Sequence, residues 1–374
     1  MKKLLFLPLL VATIALHGCA SGVKTEVPAH VMQEIYNEVK TPYKYGLVLV
    51  GADATKKLDC PTVFRHNGTW YMTYIVFDNE GNERWSDGKG YETWLATSDN
   101  LLDWTTLGRV MSYTTDTWDA YQKAGYNALQ DYTWGGSYEL QRFNDKYWIS
   151  YFGGNETGYE AGTLKLGMAY TEGEAHVPHE WQRLPHPILS PADPDVRWWE
   201  NNKLYKSSVI WDKSERTGYP FVMYYNANGD TTGVRATRWF ERIGMAVSND
   251  MVTWKRYLDE PVLAHSRGIT GDAVIQKIGD VYVMFYFGAF WEGHENAAFN
   301  NFAASYDLVN WTDWTGDFLI ESSEPFDEKY AHKSFVLKYD GIVYHFYNAV
   351  NNEDNRGIAV ATSRDLGRST LTFK

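Results

Sequence analysis

Cysteine is almost missing from this 374-residue chain, which has only Cys19 and Cys60. Cys19 sits in Leu16-His17-Gly18-Cys19, a lipobox-like phrase in which the Cys becomes the lipidated first residue after cleavage. Cys60 is then left alone, which excludes an intrachain disulfide and a cysteine-built metal site. It reads as an inert, buried small hydrophobe. Basic runs are absent beyond Met1-Lys2-Lys3, and the formal net charge is −12. Nucleic acids and anionic membranes are held by clustered Lys and Arg, so neither is expected as a partner. The apolar stretch Leu4 to Leu16 is too short to span a bilayer and reads as the core of an export signal. These features predict a lipoprotein-type signal over 1–19, a tether over 20–45 with a short helix at Val31 to Val39, and one domain over 46–374. The expected location is the bacterial periplasm or outer membrane, with a lipid anchor as the one membrane contact.

What the chain has in abundance is aromatic residues, 16% of the total with 16 Trp. They recur in a pattern seen five times. The copies run from Asp59-Cys60-Pro61 to Tyr74, Gly136-Ser137-Tyr138 to Tyr151, Lys206-Ser207-Ser208 to Tyr225, Gly271-Asp272-Ala273 to Tyr286, and His332-Lys333-Ser334 to Tyr347. Between the halves of most copies stand Asn67-Gly68, Asn144-Asp145, Gly279-Asp280 and Asp340-Gly341, residues that tolerate the positive φ of a tight hairpin. A third strand ends in Ser98-Asp99-Asn100-Leu101-Leu102-Asp103-Trp104, with counterparts at Ser248 to Trp254 and Ser305 to Trp311. Their short polar side chains close Asx-type turns, and each Trp opens a fourth strand. Four strands in each of five repeats predict an all-β, single-domain, five-bladed β-propeller with blades of four antiparallel strands. Leu47 to Val50 is expected to pair with Gly357 to Ala361 and seal the ring.

Superposing the copies puts Asp59, Gly136, Lys206, Gly271 and His332 at the axis, with Asp272 and Lys333 one residue further in. Ionisable groups at a partly desolvated axis need partners or a task; a salt-bridged plug is the structural alternative. Asp59-Cys60-Pro61, the Ser-x-Asp-Leu-x-x-Trp phrase and Ile243-Gly244-Met245-Ala246-Val247-Ser248 together resemble the five-bladed glycoside hydrolases of family 43 and the related families 32, 62, 117 and 130. The resemblance implies Asp59 as general base and His332 as an axial ligand for water or an ion such as Ca²⁺. The family's other two carboxylates would fall at Gly136 and Lys206, where this chain departs.

Glycoside cleavage needs one protonated and one ionised carboxyl at the same pH. Glu139, among Tyr132, Trp134 and Tyr138, and Asp272 are the candidate acids. Residues 116–132 are expected to form a short helix over the same mouth. Asp131, Trp134, Trp199, Trp291, Lys206 and Lys333 are the expected sugar contacts, with aromatic faces stacking on sugar rings. Each Trp can equally serve packing, and each Lys can simply neutralise a carboxylate. The resulting expectation is a monomeric glycoside hydrolase, exo-acting and inverting, on plant or algal oligosaccharides, without an organic cofactor. The alternatives are a family 130-like phosphorylase, favoured by Lys206 and Lys333, and a non-catalytic glycan-binding propeller.

Overall fold

A computed structural model describes residues 26–229 and 240–374. The export signal and the lipidation site at Cys19 lie outside the described residues. Helix α1 (Ala29–Val39) buries Met32, Ile35 and Val39 against Val281, Val283, Phe285 and Phe302, so this segment is docked on the sheets.

The remaining elements are strands. Antiparallel neighbours run β2 (Lys56–His66), β3 (Thr69–Asp78), β4 (Gly90–Ser98), β5 (Thr105–Met111), and then β6 (Gln122–Asn127), β7 (Tyr147–Gly154), β8 (Lys165–Thr171), β9 (Gln182–Arg183). A second series holds β10 (Lys203–Trp211), β11 (Phe221–Asn228), β12 (Glu241–Ser248), β13 (Trp254–Tyr257), then β14 (Ile269–Ile278), β15 (Val281–Ala289), β16 (Ala298–Ser305), β17 (Thr312–Asp313). Finally β18 (Tyr330–Tyr339), β19 (Ile342–Val350) and β20 (Arg356–Thr362) are completed by β1 (Tyr43–Val50). Leu47 lies opposite Ala359 and Val50 opposite Gly357, the expected pairing of the first strand with the last.

The all-β reading holds, but the five-bladed propeller of separate blades is corrected. Backbone pairing gives three discrete sheets of four, eight and eight strands. The joins are parallel contacts, Tyr91 opposite Gln122 and Glu241 opposite Ile269. Glycines permit them. A Cβ on Gly90 would stand 1.9 Å from the Tyr121 carbonyl, the same oxygen that accepts the Tyr91 N–H at 2.9 Å. Gly268, at φ +81°, presents its carbonyl to the Glu241 N–H at 3.0 Å.

A second correction concerns residues 116–132. Instead of a helix they contain β6, whose six residues are all buried. A strand covered on both faces shows no polar alternation and is easily misread. Gly136 to Leu140 does not open a repeat; it is a loop in which the Tyr138 carbonyl accepts the Arg65 N–H at 3.0 Å.

The turn chemistry follows the sequence closely. Ser98, Ser248 and Ser305 hydroxyls accept the N–H of Leu101, Met251 and Leu308, which adopt φ of 68°, 64° and 70°. Trp104 and Trp254 donate their indole N–H to the Leu101 and Met251 carbonyls, both at 3.1 Å.

Gly90→Ala should destabilise the fold by roughly 3 kcal/mol or more, because the added methyl collides with backbone. Gly279, at φ +59° with open space around it, should cost only about 1 kcal/mol on the same change. Urea denaturation of the two variants checks this, and equal shifts would contradict the role given to Gly90.

Candidate active site

Five strands from the three sheets converge on one cavity of about 390 Å³. Cys60 of β2, Tyr126 of β6, Lys206 of β10, Asp272 of β14 and Lys333 of β18 line its buried floor. Three of these, Cys60, Asp272 and Lys333, have φ of 48°, 58° and 59°. Each sits where the strand register slips, between Asp59 and Thr62, Gly271 and Val274, and His332 and Phe335. A bulge of this kind breaks alternation and re-aims the side chain. The cavity is therefore lined by Cys60 rather than Asp59.

Asp59 is 2% exposed and lies behind Lys333. Its Oδ2 accepts from Lys333 Nζ at 2.7 Å and stands 3.6 Å from Arg356, while Oδ1 accepts the Cys60 N–H at 2.9 Å. Burial works against its charge, but Lys333, His332 and Arg356 outweigh burial and hold the carboxyl down at about 2. It is a fixed anion that neutralises the floor. Asp272 responds differently: burial lifts its carboxyl, against the pull of Lys206 at 4.0 Å. Burial also pushes the Cys60 thiol up, which keeps it inert.

Two carboxylates on the walls were missed by sequence reasoning. Glu241, the first residue of β12, is 7% exposed, and its Oε2 accepts from Asn226 Nδ2 at 2.9 Å. Burial first, and then the Glu160 charge, push its carboxyl up to about 8. Glu160 lies in the β7–β8 loop at φ 49°, its backbone carbonyl gripped by Lys203 Nζ. Burial raises its carboxyl as well, with Lys333 pulling back and Asp59 adding to the lift. The signals were a glycine-flanked loop, Gly158-Tyr159-Glu160-Ala161-Gly162, and an acidic residue two places before the Ile243-Gly244 phrase. Aromatic side chains Phe152, Tyr159, Tyr205, Phe287, Phe290 and Tyr330 complete the walls, with Arg356 donating to the Tyr159 hydroxyl at 3.0 Å.

Of the residues expected at the site, Asp272, Lys206, Lys333 and His332 come together here, with Asp59 beneath. His332 is held neutral by burial and by the Lys333 charge, its pKa down at about 3, and its ring packs edge-on against Phe287. The adjacent Lys333 and Arg356 disfavour a cation at that point. Glu139 is absent from the cavity: its side chain is 41% exposed and 3.7 Å from His66, because the loop carrying it packs beside β2.

The remaining expected sugar contacts do not line this cavity and have partners elsewhere. Trp134 donates to Glu38 at 2.8 Å, and Asp131 accepts from the Ser137 N–H at 2.8 Å. Trp199 is fully buried and donates to the Asp259 carbonyl, and Trp291 stacks on His265 with centroids 3.5 Å apart.

No family model matches this sequence, and no curated protein does. Solved structures do. A complex of BT0996 with RGII is 55% identical over 93% of this sequence and 99% of its own, with a TM-score of 0.89. A structure described as a glycoside hydrolase gives 54%, the same coverage and 0.89. A structure from the family 130 mannoside phosphorylases that contains β-1,2-mannoside hydrolases gives 13%, 86% and 93% coverage, and 0.61. That last likeness concerns the fold alone. The resemblance to families 43, 32, 62, 117 and 130 is therefore corrected as an assignment of family, since high identity lies with the first two structures.

Asp59→Asn should cost about 3–5 kcal/mol, because Lys333 and Arg356 lose their buried counter-charge. Asp59 has a folded pKa of about 2, against roughly 3.9 unfolded, so its contribution is present above about pH 4 and is lost as pH falls towards 2. Acid unfolding of the wild type should show that component and the variant should not. Glu241 has the opposite sign: folded at about 8 against roughly 4.3 unfolded, it lowers stability as pH rises across that window. Glu241→Gln should then be more stable than wild type at pH 9, by ~1 kcal/mol or more, in denaturant titrations.

Proposed function

This protein belongs to the glycoside hydrolase family that includes BT0996, and from that premise we propose that Glu241 is the general acid and Glu160 its ionised partner. The observation that carries this reading is a pair of wall carboxylates in one cavity: burial and the Glu160 charge push Glu241 up to about 8, whereas the rise that burial imposes on Glu160 is opposed by Lys333, Lys203 and Arg356. Glu241, pushed up to about 8, holds a proton at neutral pH and can give it to the leaving oxygen. Burial raises the Glu160 carboxyl, and Lys333, Lys203 and Arg356 act against that rise; in its ionised form it serves as base on water or as nucleophile at the anomeric carbon. Lys206, Asp272 and Lys333 on the floor offer donors and acceptors to sugar hydroxyls, and the aromatic walls offer stacking faces.

The substrate we propose is a plant oligosaccharide of the RGII type, by likeness to BT0996. A cavity of about 390 Å³ is near the lower end of the ~300–1,000 Å³ range of ligand pockets, which favours removal of a terminal residue. The leader and Cys19 support export and lipid anchoring of the enzyme.

A second reading is kept for one observation. Lys206 Nζ is buried and has no hydrogen-bond partner among the described residues, as an anion-binding phosphorylase site would require. Sugar release from RGII oligosaccharides in phosphate-free buffer separates the two. Activity there supports hydrolysis, and an absolute need for phosphate sinks it.

Glu241→Gln and Glu160→Gln should each lower kcat by roughly 10²–10⁴-fold with the fold intact by circular dichroism. Activity of the wild type should fall as pH rises through about 8, where Glu241 loses its proton. Retention of a tenth or more of the activity in either variant would overturn the assignment. The anomer released first, followed by NMR, distinguishes inversion from retention.

A further inference from the structure

Away from the cavity, at the end of β2 and in the β8–β9 loop, His66, Glu174 and His176 bring three donor atoms within 4.8 Å of one another. We propose that these residues form a zinc site that ties the β2–β3 turn to the β8–β9 loop.

His66 Nε2 is 4.0 Å from Glu174 Oε2, and His176 Nδ1 is 3.7 Å from the same oxygen. Zinc bonds of about 2.0–2.1 Å in a tetrahedron put neighbouring donors about 3.4 Å apart, so closure needs the donors to approach by about 0.3 to 1.4 Å. The two imidazoles stack face to face, with centroids 4.2 Å apart and planes 18° from each other, so one ring has to turn for both nitrogen lone pairs to meet at a common ion. His176 Nδ1 is buried and has no hydrogen-bond partner among the described residues. The Asn67 amide nitrogen stands 3.1 Å from His66 Nε2, a contact on the exposed turn that a metal would displace.

The surroundings are those of a supported metal site. Glu139 lies 3.7 Å from His66 Nδ1, the ring nitrogen not paired with Glu174. A carboxylate there favours a proton on Nδ1, and closing to hydrogen-bond distance would orient the ring and strengthen the donor. Arg142 donates to the Glu172 and Gly173 carbonyls and stands 3.8 Å from Glu174 Oε1, which holds the loop and leaves Oε2 for the metal. Two imidazoles and one carboxylate suit zinc better than calcium or magnesium, which take oxygen donors, and leave a fourth position for water.

The test is calorimetric titration of the chelator-stripped full-length protein with zinc chloride. The expected result is one zinc ion per molecule, a rise in melting temperature on zinc addition, and no competition from a millimolar excess of Ca²⁺ or Mg²⁺. Combined His66→Ala and His176→Ala should abolish both effects and leave sugar release unchanged, since neither residue borders the cavity. Cys60→Ser should bind zinc as the wild type does. Glu139→Gln should bind about 10–100-fold more weakly. Absence of stoichiometric binding, or binding that survives loss of both histidines, would overturn the site.

Discussion

The buried ion pair of Asp59 with Lys333 is the contact on which the cavity depends. A lone ammonium on that floor would carry a desolvation penalty of several kcal/mol, and a lone carboxylate would carry a similar one. The pair is tolerable because its valences are used: Asp59 takes Lys333, Arg356 and the Cys60 N–H, which join β2, β18 and the start of β20. Net association of this kind contributes little stability compared with an apolar pair of the same shape. Its value lies elsewhere, in keeping an ammonium group pointed into a space that a sugar can enter.

Three acidic environments within one small volume then differ in a useful way. Asp59 has cations on its oxygens and stays ionised far into acid. Glu241 has an amide donor, burial and a neighbouring carboxylate, and keeps its proton to about pH 8. Glu160 is lifted by burial and held back by Lys333. Lys333 thus faces two ways: it is consumed by Asp59 and still felt by Glu160. A change at Asp59 should reach the two wall carboxylates through that lysine, although Asp59 itself does not line the cavity.

The strands were largely legible because hairpin turns announce themselves. Asn67-Gly68, Asp340-Gly341 and the three turns that start at Ser98, Ser248 and Ser305 adopt the positive φ and side-chain acceptances that their chemistry predicts. β6 was hidden because Ala124 and Gly125 pack on both faces, where a Cβ on Gly125 would meet Met111 at 2.3 Å. The joining of strands into three sheets was hidden too, since single parallel contacts at Tyr91 and Glu241 leave no periodic trace. Asp272, Lys206, Lys333 and His332 were found because aligned strand starts share a position in space. Glu160 and Glu241 were missed for the converse reason: one lies on a loop outside any repeat, and the other starts a third strand.

The displaced register of the floor explains why Asp59, expected at the cavity as a base, lies behind its lining. In an unbroken strand Asp59 and Cys60 would alternate, and one of them would face the core. At φ 48° Cys60 turns the backbone so that its thiol joins the cavity while Asp59 drops behind Lys333. The same slip in β14 and β18 carries Asp272 and Lys333 into view. A left-handed conformation at a non-glycine residue costs of order 1–3 kcal/mol, and here it recurs at three positions that all border one cavity. Strain repeated at the same point of three of the five floor strands is what selection for a shaped polar floor would leave behind.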